Sequence, residues 1–233
     1  LATIRYATAL TQTQIDTLVD GSGNPTSVGL AAIRPASNAS DRIEWNIYDN
    51  ANRLIGTIDP TGAVTSFEYD GASRLIKSTR FATKLSSTII DGYRTSGPPT
   101  QLTLPSADAA NDRVERTFYD NDGLVAGTLN GDGYLTVYTY DKAGRRTQSS
   151  QYTNQPSQSL WANGSFTDLK TSAGTIFTDI QNFWIYDGRG LLAATMDGLN
   201  NVTRYHYTAR GDIDQEVRGQ VANSPPYTFA NLP

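Results

Sequence analysis

The chain has 233 residues and a formal net charge of −4, a balance that disfavours binding to the phosphate backbone of nucleic acids. Its 13 Tyr, 7 Phe and 3 Trp argue against disorder, and the absence of Cys excludes disulfide scaffolds, cysteine zinc sites and thiol nucleophiles. No apolar run approaches the ~20 residues that cross a bilayer, and no signal peptide is visible.

The first 47 residues are irregular. Residues 3–6 predict the end of a strand, and residues 20–26 resemble the later segment 59–62, so we interpret them as a degenerate half-unit. Residues 35–40, Pro-Ala-Ser-Asn-Ala-Ser, are typical of a loop, and strand signal resumes at residues 43–48.

The next segment predicts an antiparallel hairpin. Two β-rich runs, residues 53–58 and 64–69, are joined by Asp59-Pro60-Thr61-Gly62, whose order favours a type I turn. Tyr69 ends the second run, where an aromatic ring packs on a neighbouring strand. Asp70 begins the following turn, where its carboxylate can accept backbone N–H bonds.

The Tyr-Asp pair recurs at a fixed spacing of 21 residues. The three sets are Tyr48-Asp49 with Tyr69-Asp70, Tyr119-Asp120 with Tyr140-Asp141, and Tyr186-Asp187 with Tyr207-Thr208. A shift of 71 residues places the first unit on the second without gaps, and a shift of 67 places the second on the third. One unit used three times predicts a repetitive β structure.

A regular hairpin block thus alternates with a looser insert. We predict super-repeats at residues 1–80, 81–151 and 152–219, with hairpin blocks at 42–80, 113–151 and 180–218, and the next insert from 220 to 233. Leu1 lies just before a motif that belongs inside a super-repeat, and Pro233 falls inside the next insert. We therefore expect a piece of a longer polypeptide.

Period-2 alternation predicts the faces of the second strand in each block. One face carries Thr and aromatic residues, namely Thr65, Phe67, Tyr69, Thr136, Tyr138, Tyr140, Thr203, Tyr205 and Tyr207. The opposite face carries Val64, Ser66, Glu68, Leu135, Val137, Thr139, Val202, Arg204 and His206. We expect the Thr/aromatic face to be the buried one.

The two inserts, residues 82–111 and 153–179, are rich in loop signals. They contain short strand possibilities at 101–104 and 175–177, and a third loop begins at 223–226. No convincing amphipathic helix is visible, although residues 106–113 have room for one or two helical turns.

Taken together, the Tyr-Asp-x-x-Gly starts, the Asp-x-x-Gly turns and the Thr-x-aromatic-x-Tyr-Asp ends resemble the YD repeat of Rhs-type proteins. That family includes bacterial Rhs polymorphic toxins, the C component of insecticidal toxin complexes, wall-associated bacterial proteins and the animal teneurins. The segments that carry the resemblance are residues 48–54, 59–62, 65–75, 119–125, 133–145 and 186–211.

The resemblance implies β-hairpins that coil into a hollow shell, which in the toxin members encloses a C-terminal effector. The self-cleaving Rhs core has an Asp-Pro-x-Gly-Leu-type signature, but residues 59–62 continue with Ala63, so we assign no protease function to them. The departures from the family pattern are Asn52 and Ser73 in place of turn Gly, Leu124 and Leu191 in place of Arg, and Thr208 in place of Asp.

Candidate catalytic and metal-binding residues have simpler structural interpretations. His206, the only His, is needed by any Ser-His-Asp triad, yet it sits mid-strand between two Tyr. Residues 120–123 and 130–133 resemble calcium loops, but Gly131 stands where such a loop ends in Glu, which favours turn chemistry. Nothing fixes the separations that a glycosidase pair would need among Glu44, Glu68, Glu115 and Glu216.

Candidate binding motifs are equally open to structural explanations. Arg210-Gly211-Asp212 is an integrin-type tripeptide whose Gly lies where the repeat requires a turn Gly. Glycosylation acceptor patterns begin at Asn38, Asn163 and Asn201. Surface aromatics could stack on sugars, and the candidates are Tyr6, Phe81, Trp161 and Trp184, for which core packing is the default.

These observations predict an all-β fold of tandem antiparallel hairpins with little or no helix, forming an extended or coiled wall. We expect a non-catalytic structural segment of a large secreted or cell-surface bacterial protein, with no cofactor and no metal, that builds a shell or an extracellular filament. Its expected partners are neighbouring repeats or identical copies joined head to tail, with an encapsulated toxin or a surface glycan as further possibilities. A carbohydrate-binding adhesin module is the alternative.

Overall fold

The computed structural model describes residues 1–35, 38, 40–97, 99–174 and 180–220. The chain divides into two compact units, the first formed by Leu1–Phe67 and Arg80–Ala107 and the second by Glu68–Thr79 and the residues from Asp108 onward. The strand possibility at 175–177, the loop at 223–226, residues 36, 37 and 39 of the first loop, and all but the first residue of the predicted segment 220–233 lie outside the described residues.

Unit 1 contains four strands that pair antiparallel in sequence order. They are β1 (Ala2–Arg5), β2 (Arg42–Tyr48), β3 (Leu54–Ile58) and β4 (Val64–Tyr69), whose last two residues belong to unit 2. Its helices are α1 (Gln12–Asp16), α2 (Leu30–Ile33) and α3 (Ser87–Ser96).

In unit 2, consecutive strands from β6 to β13 pair antiparallel in the same manner. The strands are β5 (Leu75–Arg80, whose last residue belongs to unit 1), β6 (Arg113–Tyr119), β7 (Val125–Leu129), β8 (Leu135–Tyr140), β9 (Arg146–Gln151), β10 (Ile180–Tyr186), β11 (Leu192–Met196), β12 (Asn201–Tyr207) and β13 (Ile213–Gln220). A 3₁₀ helix spans Gln158–Leu160, and α4 spans Phe166–Ala173. The prediction of an all-β fold of tandem antiparallel hairpins is confirmed.

Every hairpin turn is organised by its first side chain, as the sequence predicts. Asp59 Oδ1 accepts the backbone N–H of Thr61 at 2.8 Å and of Ala63 at 2.9 Å, while Gly62 donates to the Asp59 carbonyl at 3.0 Å. The same two-bond pattern recurs at Asp20, Asp49, Asp70, Asp120, Asn130, Asp141, Asp187, Asp197 and Thr208. The Asp20 turn supports the interpretation of residues 20–26 as a degenerate half-unit.

The expectation that the Thr/aromatic face is buried is wrong. Val64 and Leu135 are 0% exposed and Val202 is 3% exposed, and all three lie on the opposite face. The Thr residues of the predicted face pair across each hairpin and are only half-buried, as at Thr57 and Thr65. The opposite face is buried because helical parts of the inserts cover it in the first two blocks.

The two insert helices are the main feature that the sequence prediction missed. In unit 1, Ile90 of α3 joins a core with Trp45, Ile58 and Val64, and Tyr93 meets the Trp45 ring edge-on at 5.8 Å. The sequence analysis allowed helical turns only at residues 106–113. These residues instead form a hydrogen-bonded turn followed by the first residue of β6. Residues 101–104, a possible strand in the sequence analysis, form no strand.

In unit 2, α4 supplies Leu169 and Ala173 to a core with Leu129, Leu135 and Tyr152. Glycines on the strands make room for the inserts: a Cβ at Gly127 would lie 2.5 Å from the Phe166 ring, and one at Gly56 would lie 2.4 Å from Leu102 within unit 1. In each of these two repeats, a glycine therefore occupies the strand position against which the insert packs.

Candidate functional site

Successive repeats of unit 2 are joined by the same arginine contact. Arg74 is held by Asp70 at 2.7 Å, and its guanidinium lies 3.8 Å from the centre of the ring of Tyr119, the last residue of β6 in the next block. Arg74 Nη1 also donates to the Gly123 carbonyl at 3.3 Å. The arginine of one turn therefore contacts both the tyrosine and the glycine of the following Tyr-Asp-x-x-Gly turn.

The contact recurs one repeat later. Arg145 pairs with Asp141 at 2.6 Å and lies 4.4 Å from the centre of the Tyr186 ring. A Cβ added to Gly190 would come within 2.8 Å of Arg145 Nη1, so the guanidinium packs directly on that turn. At the third position Thr208 and Asp212 replace the Asp and Arg, so the pair is lost there.

The turn carboxylates are ionised hydrogen-bond acceptors. The backbone N–H of Arg74 is the main reason that the pKa of Asp70 lies below its ordinary value, and the Arg145 side chain is the main reason at Asp141. At Asp187 burial opposes the shift, but bonds from Leu191 and Arg189 outweigh it, and the pKa is again lowered. Low pKa values suit fixed turn acceptors and disfavour a role as general acids at neutral pH.

The residues considered for catalysis are dispersed. His206 is exposed and its Nδ1 lies 2.7 Å from Asp214 Oδ1 on β13. Glu68 pairs with Lys77 at 2.7 Å and Glu216 with Arg218 at 2.8 Å, while Glu44 and Glu115 are exposed on other strands. Of the four Glu residues, only Glu68 lines the cleft described below.

The calcium-like loops are hairpin turns. Asp120 Oδ1 accepts from Asp122 and Leu124, and Asn130 Oδ1 accepts from Asp132 and Tyr134, which leaves these oxygens engaged with the backbone. The described part of the chain contains no group of three His, Cys, Asp or Glu residues that could hold a metal ion.

The candidate binding motifs also serve the fold. Gly211 adopts a φ of 91° at an exposed turn, so Arg210-Gly211-Asp212 forms the tip of the β12–β13 hairpin. Asn201 donates its amide to Asp197 at 2.9 Å, and Asn163 is exposed beside the N-cap of α4. The acceptor pattern at Asn38 includes residue 39, which lies outside the described residues.

Two of the four candidate sugar-stacking aromatics pack against hydrophobic cores and the other two are half-buried. Phe81 packs against the unit 1 core, and Trp161 packs against the unit 2 core with its indole N–H donating to Pro156. Trp184 is half-buried under Arg146, and Tyr6 is half-buried near the chain start. The default interpretation as packing residues agrees with the core contacts of Phe81 and Trp161 and stays a prediction for Tyr6 and Trp184.

A polar cleft of unit 2 lies between β5, β6 and the insert that leads into α4. Its volume is about 400 Å³. It is lined by the charged side chains Glu68, Asp70, Arg74, Lys77 and Arg116 and by Ile76, Thr117, Phe118, Tyr119, Ala162, Asn163 and Phe166.

Arg116 lines this cleft, and the sequence analysis did not single it out. Its Nη1 donates to the Gly164 carbonyl at 2.6 Å, and its guanidinium lies 4.6 Å from the centre of the Phe118 ring, which stacks on Phe166 at 4.9 Å. Burial lowers the pKa of Arg116 from its ordinary value, while Glu68 opposes the shift, and an arginine remains charged at neutral pH.

Comparison with known proteins supports the repeat assignment. Residues 48–84 match the sequence model of the RHS Repeat family, so this segment is an RHS repeat. No curated protein matches the chain. No helix in the described ranges is long and apolar enough to cross a membrane.

Several solved structures match this chain at low sequence identity. TcdB2-TccC3-TEV is 15% identical with a TM-score of 0.49, and the match covers 77% of this chain and 8% of that one. TcdB2-TccC3-Cdc42 and TcdB2-TccC3 are each 14% identical with a TM-score of 0.22, over 79% of this chain and 12% of those chains. The chain therefore spans only a small part of the proteins that it resembles.

Proposed function

We propose that this chain is a non-catalytic wall segment of a large secreted or surface RHS-repeat polypeptide, and that the wall closes into a shell around cargo. The observation that carries the proposal is the recurring Asp–Arg–Tyr contact, seen at Asp70, Arg74 and Tyr119 and again one repeat later. A contact that repeats with the sequence can be extended by every further copy, as in other repeat proteins.

The chemistry of the acidic residues supports a structural role. The carboxylates that recur most regularly hold turns, and bonds from backbone N–H groups and arginines lower their pKa values. A general acid or nucleophile needs a carboxylate that is open to substrate and tuned to its task. We infer that the recurrent Asp residues instead serve to hold the hairpin turns.

The described edge of the array supports extension. Strand β13 pairs with β12 on one side, and Ile213 and Val217 on it are 56% and 50% exposed. Exposed apolar side chains on a strand favour contact with a further strand. A further repeat of the same polypeptide, or an identical copy, would provide it.

Electron microscopy of the intact parent polypeptide tests the proposal. Discrete hollow particles are the expected result, and a protease-resistant guest inside them would identify the cargo. Continuous polymers would instead indicate that the wall forms a filament and not a shell. Solid compact particles with no lumen and no polymer would contradict both.

A further inference from the structure

The repeats share an inward-facing position at which the second block departs from the other two. Trp45, Arg116 and Phe183 occupy equivalent places, because each is paired across its first hairpin with Ile58, Leu129 and Met196 respectively. Trp45 is 1% exposed in the unit 1 core, and Phe183 packs against the third core. Arg116 therefore puts a half-buried charge where the fold otherwise places an aromatic ring.

Arg116 is only partly satisfied by protein groups. The carbonyls of Gly164 and Trp161 accept from its Nη1 at 2.6 and 3.4 Å. No carboxylate in the described part of the chain lies within 4.0 Å of its guanidinium, whereas Arg53, Arg74 and Arg145 each pair with an Asp. A half-buried guanidinium with free donors is suited to a carboxylate that arrives from outside.

The charge of the cleft favours a monoanion. Three cationic side chains and two anionic ones line it, but Asp70 and Arg74 pair with one another, as do Glu68 and Lys77. The charge left over is the single positive charge of Arg116. A carboxylate balances that charge, whereas a dianionic phosphate would exceed it.

The remaining surface of the cleft suits a sugar ring. Phe118, Tyr119 and Phe166 supply apolar lining beside the guanidinium, while Thr117, Asn163 and the Glu68 carboxylate supply partners for hydroxyl groups. The volume of about 400 Å³ lies within the range of small-molecule sites. An acidic side chain of a peptide would use Arg116 but would leave most of these polar groups unpaired.

We propose that the cleft between β5, β6 and the second insert binds a carboxylate-bearing saccharide of the uronic acid class. Arg116 holds the carboxylate, and Asn163 and Glu68 hold ring hydroxyls. This site is independent of whether the wall forms a shell or a filament. It differs from the four aromatic residues that the sequence suggested for sugar stacking.

Ligand-detected NMR and calorimetry with D-glucuronic acid and D-glucose test the proposal, since the two sugars differ at the carboxylate. We expect saturable binding of glucuronic acid and at least ~10-fold weaker binding of glucose, the loss expected when a charged hydrogen bond is removed. Arg116→Phe restores the aromatic residue type of the other repeats and should weaken glucuronic acid binding by about 10- to 100-fold.

Two further variants keep the test decisive. Arg113→Gln changes an exposed arginine on the same strand, whose partner is Asp132, and should leave binding unchanged. Asn163→Ala alters an exposed lining residue and should weaken binding several-fold even if Arg116→Phe does not fold, which circular dichroism would reveal.

Three results would overturn the site. They are equal binding of the two sugars, no saturable binding of either at ~10 mM, and glucuronic acid binding that survives both Arg116→Phe and Asn163→Ala. If N-acetylglutamate binds as tightly as glucuronic acid, the ligand of the cleft is an acidic peptide and not a saccharide.

Discussion

Replacing Leu169 with Ala tests whether the insert helix is a true part of the repeat core. Leu169 is 0% exposed on α4 and packs with Leu129, Leu135 and Tyr152. The change removes three carbon atoms, worth about 2.4 kcal/mol of lost burial at ~0.8 kcal/mol each. A residual cavity adds to this, so we expect unfolding to become easier by about 3–4 kcal/mol.

Thermal and urea denaturation followed by circular dichroism measure this effect. For a chain of this size, about 3 kcal/mol corresponds to a fall of roughly 6–12 °C in the melting temperature of the transition that contains unit 2. The slope of the urea curve should stay unchanged while its midpoint falls, because the folded state is weakened without a change in the surface exposed on unfolding.

Thr167→Ala is the matched control on the same helix. Thr167 is exposed, so its replacement should change the free energy of unfolding by less than ~0.5 kcal/mol. Equal effects of the two variants, or a loss below ~1 kcal/mol for Leu169→Ala, would refute the argument that α4 closes the hydrophobic core. A large loss confined to Leu169→Ala would support it.

Three further predictions concern the turns. Ser73 has a φ of 61° where Gly144 has one of 75°, so Ser73→Gly should stabilise and Gly144→Ser should destabilise, each by about 1 kcal/mol in urea unfolding. A double-mutant cycle with Arg74→Gln and Tyr119→Leu should give a coupling energy of about 0.5–1 kcal/mol, as expected for a cation over an aromatic ring. The turn Asp residues have pKa values lowered from 3.8, so the stability that they contribute is complete above that value and is lost as the pH falls through their folded-state pKa values. The urea midpoint should therefore fall as the pH is lowered below 3.8.

Each of these has a clear contradicting result. Stability changes of the same sign for Ser73→Gly and Gly144→Ser would show that the backbone conformation is not the cause. Additive effects in the double-mutant cycle would remove the energetic link between repeats. A urea midpoint that falls mainly between pH 7 and pH 5 would point to groups other than the turn carboxylates.

The turn chemistry was predictable because it is local. Asp49 and Asp59 bond to backbone groups two and four residues away, so the entire interaction is contained in a short stretch of sequence. The 21-residue spacing of Tyr-Asp pairs then fixes where each hairpin begins and ends. The strand bounds follow directly, with Leu54–Ile58 and Val64–Tyr69 close to the predicted runs.

The buried face could not be predicted in this way because its cover is distant in sequence. Helix α3 contains Gly92 and several Ser and Thr residues, which give it weak intrinsic helix propensity, and packing on Trp45 stabilises it instead. Helix α4 carried a usable signal, since Ser165 and Asp168 form a capping box. That signal marks where a helix begins, but it does not show which face of the sheet the helix covers.

Arg116 departs from the residue type that the other two repeats have at its position. Its pairing with Leu129 gives it the same place as Trp45, which is fully buried, so a charge stands here where unit 1 has a buried aromatic ring. Local departures from a consistent pattern tend to mark functional or strained sites. If Arg116→Phe raises the melting temperature while it abolishes uronic acid binding, the arginine is kept at the expense of stability. If the variant instead lowers stability with no effect on binding, Arg116 acts only as a bridge to the Gly164 carbonyl.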